Sequence, residues 1–279
     1  MSSPANTQQV EYWNGPTGER WAALQEKIDL HLGEITEELI GFAAPRAGER
    51  ALDVGCGCGT TTLLLAMRTG PEGAAAGIDI SVPMLSVARA RAMAQNADVV
   101  FIEADASTYE FQPVFDLVFS RFGIMFFADP AAAFRNLRSA LAPGGRMVFT
   151  CWRSFEQNRW AWDAMQAALP FLPPLEPADP LAPGPFAFAD ELRLHRILDR
   201  AGFTNIAIEK FDGSVNMGAR TEDAAIQALN LGPLARAATG LDETVREKIR
   251  RAVENAYARY QSPSGVRPPA ACWFVRARS

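Results

Sequence analysis

Leu52-Asp53-Val54-Gly55-Cys56-Gly57-Cys58-Gly59-Thr60 is the stretch that decides the fold. A short apolar run, residues 51–54, enters a turn of alternating glycines, and a helix over residues 60–67 leaves it. Glycine lets the backbone bend sharply and lets a ligand lie directly against the main-chain N–H groups at a helix start. Downstream, strand-like runs at 74–80, 99–103, 115–120 and 147–152 alternate with helical runs at 84–94 and 131–141, and the turn Pro143-Gly144-Gly145 leads into the last strand. This alternation predicts parallel βαβ units with right-handed crossovers, hence a doubly wound α/β sheet.

The glycine spacing separates two cofactor classes. Dinucleotide enzymes use G-x-G-x-x-G/A. Here the position three after Gly57 is the β-branched Thr60, and the extra glycine is Gly59, giving G-x-G-x-G. Asp53 lies two residues before the first glycine, where a carboxylate is awkward beside a pyrophosphate but suits a cation. S-adenosylmethionine carries an ammonium and a sulfonium and no phosphate, so it is the expected cofactor. Asp79 closes the second strand about 20 residues after the loop, the distance at which an acid meets ribose hydroxyls; otherwise it caps the next helix. Met84, one turn into that helix, flanks the adenine or serves as core. In Glu103-Ala104-Asp105-Ala106, Asp105 can accept from the adenine amino group, or lie on a loop surface.

The loop after the fourth strand, Arg121-Phe122-Gly123-Ile124-Met125-Phe126-Phe127, is unusually apolar. Phe122, Met125 and Phe126 are read as a pocket wall, with Ile124 and Phe127 as ordinary core. Arg121 suits the cofactor carboxylate, an acidic substrate group, or a pair with Asp116. The expected cofactor set is thus Tyr12, Trp13, Asp53, Gly55, Cys56, Gly57, Gly59, Thr60, Asp79, Ile80, Met84, Asp105, Ala106 and Arg121. The expected substrate set is Trp21, Phe122, Met125, Phe126, Trp152 and Trp160.

Around this core the chain divides into a helical cap at 1–45, the core at 46–152, a proline- and aromatic-rich lid segment at 153–189, a helix and strand at 190–215, a helical insertion within 216–268, and a last strand at 269–279. In the cap, Ile28, Leu32, Ile35, Leu39 and Phe42 form one helix face. Asp190 can cap a helix with its stripe at Leu194, Ile197, Leu198 and Ala201. In the insertion, Thr221 can cap a first helix, Gly232-Pro233 breaks it, and a second carries a stripe at Val245, Ile249, Ala252, Ala256 and Tyr260. Tyr12, Trp13 and Trp21, the proline-rich segment and the insertion are the candidates for a lid over an apolar substrate.

These signals, in order and at these spacings, resemble the class I S-adenosylmethionine-dependent methyltransferase superfamily, and within it the small-molecule group similar to ubiquinone and menaquinone C-methyltransferases. The resemblance covers 49–152 and extends to 190–211. It places the family's glycine loop on Gly55, Gly57 and Gly59, its ribose acid on Asp79, its adenine acid on Asp105, and its turn before the fifth strand on residues 141–145. It implies a seven-stranded sheet with the last strand antiparallel. Residues 151–154 and the insertion depart from the quinone enzymes. The alternatives are a protein that binds S-adenosylmethionine without methyl transfer and a Rossmann-type NAD(P) oxidoreductase.

Composition narrows the partners. The chain has 279 residues, 48% hydrophobic and 21% charged, which suits a packed globular protein rather than a disordered one. A net charge of -5 without a basic stripe argues against nucleic acid. No signal peptide or membrane span is expected, and the four cysteines read as reduced thiols of a cytoplasmic protein; a homodimer is compatible with the sequence. Of the two histidines, His195 reads as a surface residue, while His31 flanks the apolar stripe and is a candidate general base. Two isolated histidines without clustered carboxylates predict no metal. The basic run Arg246, Lys248, Arg250, Arg251 reads as a solvated face.

Overall fold

A computed structural model describes residues 6–174, 179 and 181–279; the expectations for residues 1–5, Pro177 and Pro180 fall outside these. Helices α1 (Thr7–Asn14), α2 (Pro16–Ala23) and α3 (Gln25–Ala43) precede the core. The core then runs β1 (Arg50–Val54), α4 (Thr60–Thr69), β2 (Ala74–Asp79), α5 (Val82–Ala94), β3 (Val99–Glu103), β4 (Phe115–Arg121), α6 (Pro130–Ser139) and β5 (Leu141–Trp152). After it come α7 (Arg159–Ala168), α8 (Glu191–Arg200), β6 (Thr204–Ser214), α9 (Thr221–Ala228), α10 (Pro233–Ala237), α11 (Glu243–Tyr257), the small pair β7 (Gln261–Ser262) and β8 (Gly265–Val266), and β9 (Pro269–Arg278).

The main sheet has seven strands in the order β3-β2-β1-β4-β5-β9-β6. Strands β3 to β5 pair in parallel, and β9 lies antiparallel between β5 and β6. The expected mostly parallel seven-stranded architecture is present. Order reverses between β1 and β4, so their carboxyl ends open a crevice, the usual ligand position in such sheets. β1 and β4 are buried because helices cover both faces of the sheet, which explains their continuous apolar runs.

Local chemistry explains several helix starts. Asp129, Asp190 and Asp242 accept from the third backbone N–H of α6, α8 and α11, and Pro130 pre-sets the first position of α6. The α3 stripe buries Ile28, Leu32, Ile35 and Leu39 as expected, with Phe42 half-buried. Arg146 on β5 is buried and closes the end of this helix. It donates to the carbonyls of Ala43 and Ala44 and grips both carboxylate oxygens of Glu49, at 2.7 and 2.8 Å. α3 is thereby fixed across the sheet, roofing the crevice.

Three local expectations are corrected. Pro143-Gly144-Gly145 is not a turn before a strand but a bulge within β5, where pairing jumps from Phe115–Leu141 to Leu117–Arg146. The cap of α9 is Arg220 with Asp223, and Thr221 is its first helical residue. On α11 the buried face is Ile249, Val253 and Tyr257, because packing against α7 and α9 selects the i, i+4 row, not the row through Ala252 and Ala256. Among the described residues no helix is long and apolar enough to cross a membrane.

Candidate active site

One cavity, with about 1370 Å³ of empty space including its mouth, lies over the carboxyl ends of β1, β2, β4 and β5. Its floor is the glycine turn. The N–H groups of Gly55 and Cys56 both donate to the Ile78 carbonyl, which ties the turn to β2. Gly55 has φ of 68°, and a Cβ on it would stand 2.6 Å from the Cα of Gly123, so the loops after β1 and β4 touch through two glycines. Gly57 has φ of 53° and donates its N–H to Asp79 Oδ2 at 2.8 Å. A Cβ there would meet only Met84 Sδ, at 3.6 Å; the rest of its surroundings is open cavity.

Two carboxylates face this floor. Asp79 takes the N–H of Ser81 on its other oxygen, at 2.8 Å, and burial raises its pKa against those hydrogen bonds. Asp105 lies beyond β3. Its Oδ1 accepts the N–H and hydroxyl of Ser107, and its Oδ2 accepts the Asn6 side-chain amide at 2.8 Å. Cys56, Ile80, Met84, Ala106 and Trp13 complete this side of the cavity.

The other side is aromatic. Phe122 and Trp152 stack with centroids 4.1 Å apart, and Trp152 leans on Trp160 at 5.1 Å. Trp13 meets Trp21 and Phe126 edge-on at 5.5 and 5.3 Å. Phe122 sits at φ of 65°, a left-handed conformation held by its N–H bond to the Thr150 carbonyl, and this turns its ring onto Trp152. Met125 lines the same space. All six expected substrate residues therefore share one cavity.

Arg121, at the end of β4, also lines it. Its Nη1 donates to Thr36 Oγ1 at 2.7 Å. Asp116 does not pair with it; that carboxylate accepts from the Arg50 N–H at the far end of the sheet. The nearest acids are spent elsewhere: Asp29 on Arg91 and Thr60, and Asp53 on the hydroxyls of Thr61 and Thr62. Burial pulls the Arg121 pKa down, opposed by the fields of Asp29 and Asp53. A guanidinium with no carboxylate partner among the described residues, facing an apolar cavity, is a ready anion site.

Four expected cofactor residues are placed elsewhere. Asp53 is fully buried beneath the loop, and burial pushes it up to about 6. Thr60 turns away toward Asp29 and Gln25 on α3. Gly59 is a packing glycine: a Cβ would stand 2.8 Å from the ring of Phe101 and 3.0 Å from the Cβ of Ala88. Tyr12 lies on the outside, 39% exposed, under the guanidinium of Arg236. Ile124 and Phe127 are core as expected, and Phe127 also lines the cavity. Sequence reasoning missed Asn6, Gln9, Leu231 and Gly232. Gly232 is needed because a Cβ there would stand 2.8 Å from the Trp160 ring. All four cysteines are free and buried, and burial drives their pKa values upward, Cys58 to about 12. They are poor nucleophiles.

His31 lines the cavity, edge-on to Trp160 at 5.6 Å, with Nδ1 against the Asn216 carbonyl and the Gln227 amide. Burial lowers its pKa from 6.5 to about 4. Folded His31 thus binds a proton less readily than the unfolded chain does. Its neutral form contributes stability that is whole above pH 6.5 and drains away as pH falls toward 4. The full swing is about 3 kcal/mol. Asp53 works in reverse, with stability falling as pH rises from 3.8 to 6. Chemical denaturation against pH should therefore show that His31→Gln loses less stability than the parent between pH 6.5 and 4; parallel curves would contradict this burial of His31.

Comparison with known proteins fits this geometry. A family described as a methyltransferase domain matches residues 51–145, from β1 to the β5 bulge. The chain is 30% identical over 181 residues to demethylmenaquinone methyltransferase of Staphylococcus aureus, a match covering 61% of this chain and 74% of that protein. It is 36% identical over 118 residues to phosphoethanolamine N-methyltransferase 1 of Triticum aestivum, but this covers 42% of the chain and only 23% of the wheat protein. Among solved structures, the YcgJ protein of Bacillus subtilis superposes with a TM-score of 0.58 at 16% identity, over 88% of this chain and 97% of that one, a likeness of fold. With the glycine turn, the two strand-end acids and this relationship together, the chain belongs to the class I S-adenosylmethionine-dependent methyltransferases and is similar, within them, to the quinone methyltransferases.

Proposed function

We propose that this chain transfers the methyl group of S-adenosylmethionine to a small, flat, largely apolar acceptor. One observation carries the reading: a single cavity joins a nucleoside-binding floor at Gly57, Asp79 and Asp105 to an aromatic chamber walled by Phe122, Trp152 and Trp160. The residues present fit the cofactor. Two buried side-chain oxygens on α1 and its cap, Gln9 Oε1 and Asn6 Oδ1, have no donor among the described residues, and Gly57 leaves the slot open. Asp79 would take the ribose hydroxyls and Arg121 the cofactor's carboxylate. Neither alternative, binding without transfer or NAD(P) chemistry, is favoured; no second strand-end feature suits a pyrophosphate beside Asp79.

When bound, S-adenosylmethionine supplies a sulfonium methyl whose leaving group is a neutral thioether. The chain's task is then alignment and dryness. The stacked pair Phe122 and Trp152 sets the plane in which a flat acceptor lies, and α1 to α3 exclude water. A dry chamber favours the loss of charge when an anionic nucleophile meets a sulfonium. His31 is the polar group placed to hydrogen-bond an acceptor hydroxyl, and its low basicity suits acceptors that ionise readily themselves.

The test is to incubate the full chain with methyl-labelled S-adenosylmethionine and an extract of its native cells and to follow label into small molecules by mass spectrometry. Label in a flat aromatic product is expected; tight cofactor binding with no label transferred would overturn methyl transfer. Trp21→Ala removes one half-buried wall ring from α2. It should lower labelling at limiting acceptor about tenfold and leave S-adenosylhomocysteine affinity within about twofold, since one aromatic contact is worth about 1–2 kcal/mol.

A further inference from the structure

The acid that the family resemblance assigns to adenine is already engaged. Both oxygens of Asp105 carry protein donors, Ser107 on one and the Asn6 amide on the other. Asn6 stands at the N-cap of α1, yet its side chain makes no cap bond to that helix. It is only 5% exposed. Its orientation is fixed chemically. A carboxylate only accepts, so the NH₂ group must face Asp105 and the Oδ1 atom must face away. That Oδ1 is buried and has no donor among the described residues, and the same holds for Gln9 Oε1, one turn along α1; both residues line the cavity. Two orphaned acceptors in one slot are costly unless a ligand brings donors.

We infer that Asn6 and Gln9 receive the exocyclic amino group of adenine, so that the amino-terminal helix completes the nucleoside site. This rests on the cofactor reading above. Adenine presents two amino hydrogens on one edge, matching two acceptors. Asp105 then acts as a positioning residue that aims the Asn6 amide. The helix is held over the slot by its other end as well. Asn14 donates to the Ile80 carbonyl at 2.8 Å and accepts the Val82 N–H at 2.9 Å, while Ser81 Oγ donates to the Trp13 carbonyl at 2.7 Å. The helix that reads the base is therefore also the one that covers the site.

The experiment uses the full chain with S-adenosylhomocysteine and its deaminated analogue S-inosylhomocysteine, whose carbonyl would face two acceptors. Calorimetry should give the parent a preference for the adenine form of at least about 100-fold, because a site built for N–H donors rejects a ligand lacking them. Gln9→Met keeps length and removes the amide, the orphaned oxygen with it. It should cut that preference about tenfold, and the Gln9→Met, Asn6→Ala double variant should cut it further, melting a few degrees lower because Asp105 Oδ2 loses its partner. An undiminished preference in the double variant would overturn the inference and return base reading to Asp105. A parent chain that binds neither nucleoside would instead remove the cofactor reading itself.

Discussion

Gly57→Asp should lower the affinity for S-adenosylhomocysteine by more than about 100-fold in calorimetry while leaving the fold intact. At φ of 53° the residue faces open cavity, and among the described residues the only neighbour within reach of a Cβ is Met84 Sδ at 3.6 Å. An added side chain therefore meets little protein and fills the ligand slot instead. Aspartate tolerates this left-handed conformation better than most residues, so backbone strain stays small. Its carboxylate would also lie beside Asp79, whose Oδ2 accepts the Gly57 N–H at 2.8 Å, and like charges would compete for the same donors. A melting temperature within a few degrees of the parent, with binding lost, is the expected pair of results. Full affinity in a folded variant would place the nucleoside elsewhere.

Asn158→Ala should be the most destabilising single truncation outside the apolar core, by about 4 kcal/mol. Asn158 is fully buried between β5 and α7. Its amide nitrogen donates to the carbonyls of Arg153, Ser154 and Ala271, and its oxygen accepts from the Ala271 N–H and the Trp160 indole. Removing the side chain leaves several buried polar groups unpaired at once, and each costs about 1–3 kcal/mol before relaxation. It also frees Trp160, the ring against which Gly232 and His31 pack. The melting temperature should fall by roughly 10 °C. A shift under about 3 °C would mean that water replaces this network without loss. Acceptor use should suffer more than cofactor binding, because Trp160 belongs to the aromatic chamber.

The core was legible because buried parallel strands are short apolar runs and a ligand-bearing turn needs glycine, so Ala51 to Trp152 announces itself locally. What failed was tertiary. Thr60 and Gly59 follow the same turn, but only the approach of Phe101 and Ala88 shows that the glycine serves packing. The insertion of β9 between β5 and β6 depends on strand order, which no local pattern encodes. Tyr12 and Trp13 are neighbours of one chemical type, yet on a helix adjacent residues point about 100° apart, so one lines the cavity and the other meets Arg236 outside. Asn158 and Gln9 carry no sequence signal, since a polar residue is marked as functional only once its surroundings are known to be buried. Asn6 left one trace: an asparagine before a helical run reads as a cap, and it is here freed from that duty.

The direct measurement is equilibrium titration of the full chain with S-adenosylhomocysteine and, separately, with NAD+. Saturable one-to-one binding of the former at micromolar concentration or tighter, with no heat from the latter, is the result that Gly57, Asp79 and the unpaired amide oxygens of Asn6 and Gln9 require. Binding of NAD+ with S-adenosylhomocysteine ignored would contradict the assignment of this cavity to a positively charged nucleoside.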